Sequence, residues 1–564
     1  EYVSVSSNGN ETKCTRLPMW GLQESSLTNT KGISVRNSLV YNRSFKEKHR
    51  ITLQLGIETN STKTKGASNK RYGYMPDRGE SFATPPATYY WDMSIERDNT
   101  DVVSGEHSIV NRIENSLSEF ATAVYTYDNR YVLNFSARLD ASNRFGQDKN
   151  KRFQPTWSAG FKWNVASEPF VAASWWLNNL DIYTSYGYQG NAVSSVGPEL
   201  ITTEKYLDHY GAYGLEIKSL PYPDLGWEKT KTWNLGIAAS FLKGRLNFTF
   251  TYFKQISDVL SSRGIAVENG MTNGIVSGST MENSGYDFVI NVVPVRTKDF
   301  TWQLSLNTSI TENSVDKNER INTLDDYLNG SAVVEGRAFA TFYSYEFDGL
   351  DEETGMPTFK HMDIAFEDAE SPKDFLVKSG KFIPDFSGGL NTMFKYKNFS
   401  LYALFAVQWG GHKRLPDLYP SGGVVPGSGL PRPEQNVSRK LIDRWKSPGE
   451  QTIYPSLPSS TQDEIIYLPE TKTSSEQEEN RYVMYNFSDI RVANTDFIRC
   501  RSLSFSYDFT GKSLRKMGLG YLRLSASMTN PFMWVSDKKW DGLDPETGDW
   551  PARRITSFSL SVMF

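Results

Sequence analysis

The chain closes on Ile555-Thr556-Ser557-Phe558-Ser559-Leu560-Ser561-Val562-Met563-Phe564. From Phe558 the even positions are Phe, Leu, Val and Phe; from Ser557 the odd ones are Ser, Ser, Ser and Met. Side chains alternate faces along a strand, so this is a ribbon with one apolar face and one mostly polar face. A soluble edge strand shows the same alternation but seldom ends flush on Phe with no polar tail. A transmembrane β-barrel strand does both: apolar residues face lipid, polar residues face the lumen, and about ten residues make one crossing.

The same alternation recurs upstream. Ile33, Val35, Leu39 and Tyr41 share a face; after Lys46-Glu47-Lys48 come Ile51, Leu53, Leu55 and Ile57, with Thr52, Gln54 and Glu58 opposite, which makes a hairpin. Leu133, Phe135, Ala137 and Leu139 repeat it, as do Leu246, Phe248, Phe250 and Tyr252, then Phe300, Trp302, Leu304 and Leu306. The full pass gives about fifteen strands. Two populations of connection alternate between them. The short set is 43–49, 128–130, 242–245, 295–299, 397–398 and 509–519, with 165–178 longer. The long set is 59–116, 189–230, 254–284, 311–385, 410–496 and 529–553, with 141–155 shorter. Short periplasmic turns and long extracellular loops are the asymmetry of outer-membrane barrels. The fold class expected is therefore all-β, a transmembrane antiparallel β-barrel.

Parity adds an expectation. If the last strand runs to a periplasmic terminus, an odd count makes the first strand run the same way, with the amino terminus outside. An open sheet leaves its edge groups unsatisfied in lipid, and bacterial single-chain barrels have even strand numbers. At least one strand is thus expected beyond residues 1–564. The start, Glu1-Tyr2-Val3, has no initiator Met and no signal segment, and reads as a processed end, a split chain or a truncation.

Composition narrows the function. Sixty-one basic residues nearly balance 65 acidic ones, a net charge of −4, so no basic footprint points to nucleic acid. No run of eighteen apolar residues offers a helical span. Two cysteines, Cys14 and Cys500, make neither a disulfide framework nor a zinc site, and their spacing leaves pairing open. No GxSxG, HExxH, P-loop or CxxC is present, and five His are scattered, so neither enzyme, metal site nor cofactor is expected. The acidic clusters Asp348, Asp351, Glu352, Glu353 and Asp541, Asp544, Glu546 lack EF-hand spacing and read as acidic turns.

Arg138 and Asp140 sit opposite Leu133, Phe135, Ala137 and Leu139 and so face the lumen, as a wall salt bridge or as a contact to plug or substrate. Trp157, Trp163, Trp302 and Trp409 lie near strand ends on apolar faces, as interface anchors do. Tyr89, Tyr90, Trp91, Tyr206, Tyr210, Tyr213, Trp227, Trp540 and Trp550 fall in loops instead. Aromatic planes there can stack on sugar rings or peptide side chains, or pack loop on loop.

Several junctions carry more than periodicity. Arg138-Leu-Asp140-Ala-Ser-Asn-Arg144-Phe145-Gly146 resembles the RxDGSSRFG signature of SusC/RagA-type TonB-dependent transporters, with Ala141 and Asn143 where that family favours Gly and Ser. Tyr186-Gly187-Tyr-Gln-Gly190-Asn191, Phe347-Asp348-Gly349-Leu350, Arg444-Trp445-Lys-Ser-Pro448-Gly449, Phe497-Ile498-Arg499-Cys-Arg501-Ser-Leu503 and Asp544-Pro545-Glu546 match in the family's order. The likeness runs from about residue 120 to Phe564; residues 1–119 match only in general character. It implies a 22-stranded barrel with an internal plug, of which residues 1–564 would supply about the last fifteen strands. The TonB box, the plug and the first strands would lie elsewhere. It further implies an outer-membrane importer of oligosaccharides or oligopeptides, contacting a SusD-like surface lipoprotein through the loop aromatics and TonB through the absent portion. The rival readings are a SusC-like barrel serving as scaffold in a secretion or assembly complex, and a surface glycan-degrading enzyme, which would need a paired-carboxylate cleft.

Overall fold

Alternation of apolar and polar residues is realised as one long antiparallel meander in the computed structural model. The structure describes all residues except 1, 6–10, 15–16, 18–20, 86–87, 93–94, 99, 144–152, 172–174, 192–199, 208–210, 221–225, 265–272, 421–429, 432–435, 460–463, 511–513 and 515–517. Among the described residues the wall is built from Gly21–Phe45 (β1), His49–Met75 (β2), Glu106–Tyr127 (β3), Tyr131–Ser142 (β4) and Phe153–Asn164 (β5). Leu177–Asn191 (β6), Glu228–Phe241 (β7), Leu246–Gly264 (β8), Asn273–Arg296 (β9) and Phe300–Lys317 (β10) follow. Phe386–Tyr396 (β11), Phe399–Trp409 (β12), Phe497–Phe509 (β13), Tyr521–Val535 (β14) and Ile555–Met563 (β15) finish it. Each strand pairs with its sequence neighbours, and the two-residue strand Ser81–Phe82 folds back on the end of β2.

Local chemistry sets the short turns. Lys46-Glu47, Asp128-Asn129 and Leu242-Lys243 each hold two successive residues at positive φ, between 48° and 59°. That handedness follows the twist of the flanking strands. Asp and Asn adopt it readily, whereas Lys, Glu and Leu adopt it at some cost. Close packing across the sheet sets a different constraint at Gly56, where a Cβ would stand 2.2 Å from the Phe120 ring of β3. Only a glycine lets that ring lie across β2.

The terminal strand is in the register its pattern demands. Leu522 pairs with Val562, Leu524 with Leu560 and Ala526 with Phe558, so the apolar side chains of β14 and β15 share a face. Among the described residues no protein layer covers that face: Phe558 is 82% and Leu560 62% exposed, and Leu55, Phe135, Leu235, Leu401 and Phe505 are exposed with them. Two strands have only one partner among the described residues. β1 pairs with β2 alone and β15 with β14 alone, leaving two free edges.

The strand bounds correct two expected loops. The stretch 59–116 is not one long loop, because β2 runs on to Met75 and β3 begins at Glu106. The polar run 58–70 still alternates, and β2 and β3 stay paired from His49↔Tyr127 to Lys70↔Glu106. Likewise 254–284 is mostly strand, since β8 extends to Gly264 and β9 starts at Asn273. The first strand begins at Gly21 rather than near residue 33. Backbone pairing does not require apolar side chains, so a hydrophobic pattern marks the lipid-depth part of a strand and misses its polar extension.

Candidate functional site

The buried apolar clusters lie outside the wall, in the segments 318–385, 410–496 and 537–543. These connections form a folded loop layer. The first piece is a short helix, Leu324–Asn329 (α1). Thr323 caps it by accepting from Asp326 N while the Asp326 carboxylate accepts from Thr323 N at 2.9 Å, and Gly330 closes it at φ 71°. A second helix, Arg481–Asn486 (α2), starts at Asn480, whose side chain accepts from Tyr482 N at 2.8 Å. Leu324, Tyr327 and Leu328 of α1 pack with Tyr343, Tyr345, Phe375, Leu468 and Met484 in one core. Tyr419, Leu441, Tyr482 and Tyr485 make the next.

Two arginines, Arg414 half-buried and Arg491 buried, tie the long connections together. The Arg414 guanidinium donates to Leu328 O, to Tyr343 O and, at 3.1 Å, to Ser344 Oγ. It lies between the rings of Phe342 and Phe487, 4.8 and 4.9 Å from their centres. Burial brings its pKa down to about 10. Arg491 donates to Pro416 O, and burial lowers it too. The backbone completes the join: Tyr345 N donates to Phe487 O at 3.2 Å, and Asp489 N donates to Tyr345 O at 3.0 Å. Burial drives the hydroxyls of Tyr345, Tyr419 and Tyr485 well above the ordinary tyrosine range and pushes Tyr482 up to about 12. They stay neutral at any physiological pH and act as packing groups. What orders these connections is therefore their own shared core.

A third fastening joins the last connection to the wall. Arg499 of β13 grips Asp544 at 2.5 and 2.6 Å and Glu546 at 3.1 Å, Arg501 pairs with Glu546, and Lys413 donates to Glu546 O. Asp544 is wholly buried. The sequence presents Arg499 and Asp544 in separate motifs 45 residues apart; opposite charges at the mouths of consecutive strands were the available signal.

The structure sorts the loop aromatics. Trp540 is 1% exposed, packs with Leu415 and Ala493, and donates its indole N–H to Asn494 O at 2.7 Å. This corrects its reading as a substrate or lid contact: it is a core residue, held by a satisfied polar tip inside an apolar pocket. Trp550, ten residues on, is 77% exposed. Tyr213 is also exposed, on a hairpin where it stands opposite Tyr206. Trp227 is half-buried, its ring 3.3 Å from where a Cβ on Gly190 would be. Tyr89, Tyr90 and Trp91 lie on a small hairpin, Tyr89 opposite Arg97 and Tyr90 opposite Glu96. Their side chains, that of Tyr206 and all of Tyr210 lie outside the described residues, as does Arg144-Phe145-Gly146.

In the wall, Arg138 Nε donates to Asp140 at 2.7 and 3.0 Å, and its NH2 donates to Ser118 Oγ at 2.8 Å. Ser118 donates in turn to Asp140 Oδ1 at 2.5 Å. The closed triad satisfies both charges on the face opposite the apolar one. Among the described residues no group of three or more His, Cys, Asp or Glu is placed to hold a metal ion, and Cys500 is a buried free thiol.

Residues 9–413 match the family model described as TonB dependent receptor-like, beta-barrel. The chain belongs to this family. TonB-dependent receptors are outer-membrane transport proteins, and the uncovered apolar face of the meander is the surface such a wall presents. The chain is 26% identical over 551 residues to TonB-dependent receptor P3 of Formosa agariphila, covering 92% of this chain and 49% of that one. It is 26% identical over 516 residues to TonB-dependent receptor SusC of Bacteroides thetaiotaomicron, covering 84% and 46%. The chain thus spans about half the length of the curated relatives it matches. In fold it is similar to the RagAB peptide transporter, with a TM-score of 0.72 at 21% identity over 96% of this chain and 56% of that one.

Proposed function

We propose that this chain is the carboxyl-terminal part, strands 8 to 22, of a 22-stranded barrel that imports oligosaccharides or oligopeptides across the outer membrane under TonB control. The two free edges carry the reading. Unpaired N–H and C=O groups along β1 and β15 would each cost several kcal/mol in hydrocarbon, so further strands must close the wall. The remainder of the full-length protein supplies them, together with the plug and the TonB contact. The short turns face the periplasm and the loop layer faces outward. A SusD-like lipoprotein sits over that layer, with Tyr89, Tyr90, Trp91, Tyr213 and Trp550 among the groups that meet it or the substrate. The neighbour named as a peptide transporter and the relative named SusC support nutrient import.

The test is co-purification of a lipoprotein encoded beside the gene, together with growth on the imported nutrient. Replacing Tyr89, Tyr90 and Trp91 with Ala weakens one or both and leaves the barrel folded, because those residues lie outside the wall meander. Co-purification and growth unchanged from wild type would remove the aromatic hairpin from the contact.

A further inference from the structure

The sequence Asp-Gly-Leu-Asp-x-Glu-Thr-Gly occurs twice, at Asp348–Gly355 and at Asp541–Gly548. The two copies fold alike. Gly355 N donates to Asp351 O at 2.9 Å, and Gly548 N to Asp544 O at 2.7 Å. Asp351 N donates to Met356 O at 2.9 Å, and Asp544 N to Asp549 O at 2.8 Å. Glu353 N and Glu546 N each donate to Oδ1 of the aspartate two residues before, at 3.1 and 3.0 Å. Met356 N and Asp549 N each donate to the threonine Oγ1, at 3.3 Å in both. One turn has been built twice in one molecule.

The copies differ in what they hold. At Asp544 and Glu546 the carboxylates grip the Arg499 guanidinium, which also lies 5.5 Å from the Phe497 ring centre. At Asp351 and Glu353 the same carboxylates are exposed, and no ion pair reaches them among the described residues. Hydrogen bonds from Thr354 hold the Asp351 carboxyl below the usual range, with the nearby Arg481 adding a smaller effect, so it is ionised at neutral pH. An aromatic ring stands beside this copy too: a Cβ on Gly355 would meet the Trp445 ring at 2.3 Å. Asp351, Glu352, Glu353, Trp445 and Glu450 border an open cleft of about 810 Å³.

We propose that the Asp351–Gly355 turn is a binding site for an arginine side chain carried by an external peptide. The twin at Asp544 shows the ligand chemistry inside the same protein. Asp351 and Glu353 would take the guanidinium through paired charge-assisted hydrogen bonds, and Trp445 would give it a face to stack on. The site rests on the outward orientation of the loop layer proposed above, and it narrows the cargo or partner class to arginine-bearing polypeptide.

The test is calorimetric titration of the purified full-length protein in detergent with acetyl-Gly-Arg-Gly-amide and with its citrulline analogue, which keeps the shape and loses the charge. The arginine peptide binds saturably and the citrulline peptide at least about tenfold more weakly, the scale of a lost charge-assisted pair. Glu353→Gln weakens the arginine peptide about tenfold or more; its carboxylate makes no bond within the turn. Asp351→Asn does the same while keeping an acceptor oxygen for the turn. No saturable arginine binding, equal binding of citrulline, or a Glu353→Gln variant that binds as wild type would each overturn the site. Any of these leaves the import reading standing, because that reading is judged by lipoprotein co-purification and growth.

Discussion

In the wall, Phe558 and Leu560 show most of their surface; in the loop layer, Phe342, Tyr345 and Met484 show none. The two regions bury apolar surface against different solvents. A wall strand is covered by lipid on its apolar side and gains its order from the ladder of backbone hydrogen bonds. The connections have no ladder of that extent. They are ordered as a soluble domain is, by an apolar core, capped helix ends and buried arginines that satisfy carbonyls. The lesson is that length alone misclassifies a connection. Segments 311–385 and 410–496, taken by themselves, look like costly irregular loops, yet together they make a core.

The largest way to break this comparison is at Arg414. Arg414→Ala leaves Leu328 O and Tyr343 O without their donor and removes the guanidinium stacked between the Phe342 and Phe487 rings, a loss of about 3–5 kcal/mol. Hydrogen exchange should rise across 318–385 and 410–496 and stay unchanged in β11–β15. A uniform rise through the wall would show that the two regions are one cooperative unit. Trp540→Ala falls in the same class, about 3–5 kcal/mol, because it empties a buried aromatic site.

The wall answers to the opposite test. Leu560→Lys places a charge on the apolar face and costs about 2–4 kcal/mol near mid-membrane, while Ser559→Lys and Ser561→Lys on the other face cost far less. Denaturant titration of the refolded barrel in bilayers reads the difference. Equal tolerance on both faces would defeat the lipid-facing assignment of Phe558, Leu560 and Val562.

A smaller effect sharpens the loop side. Burial alone would raise the Asp326 carboxyl, but hydrogen bonds from Thr323 N, the Ser331 and Thr323 hydroxyls and the Arg320 charge outweigh it and hold the group low. A depressed carboxyl gives stability that is present above its unfolded pKa of about 3.9 and is lost as pH falls through the folded value. Acid should therefore loosen α1 below about pH 4. Asp326→Asn should cost about 1–2 kcal/mol at pH 7, a cost that shrinks as pH falls below about 4, as read by exchange at 324–329. The smallest effect is at Trp550: with its ring exposed, Trp550→Ala should change stability by no more than about 0.5 kcal/mol. Any marked loss of lipoprotein binding in that variant would then report contact, not folding.

Much of the wall is legible in the amino-acid sequence. Period-two alternation names the apolar face, and turn residues name the short connections, because both are properties of a few adjacent residues. Arg138 and Asp140 could be placed on the polar face for the same reason, and they pair there with Ser118. The polar ends of β2, β3, β8 and β9 escaped, since a strand beyond the membrane is held by its neighbour's backbone and leaves no mark in hydropathy. Trp540 and Trp550 were indistinguishable as loop tryptophans; only the closing of the 537–554 connection over Leu415 and Ala493 buries one and leaves the other in solvent. The twin turns show the same division. Their eight-residue repeat can be read from the chain, but whether its carboxylates meet Arg499 or open solvent depends on which strand mouth lies opposite. Residues 45 positions apart meet there through tertiary packing, which no local pattern encodes.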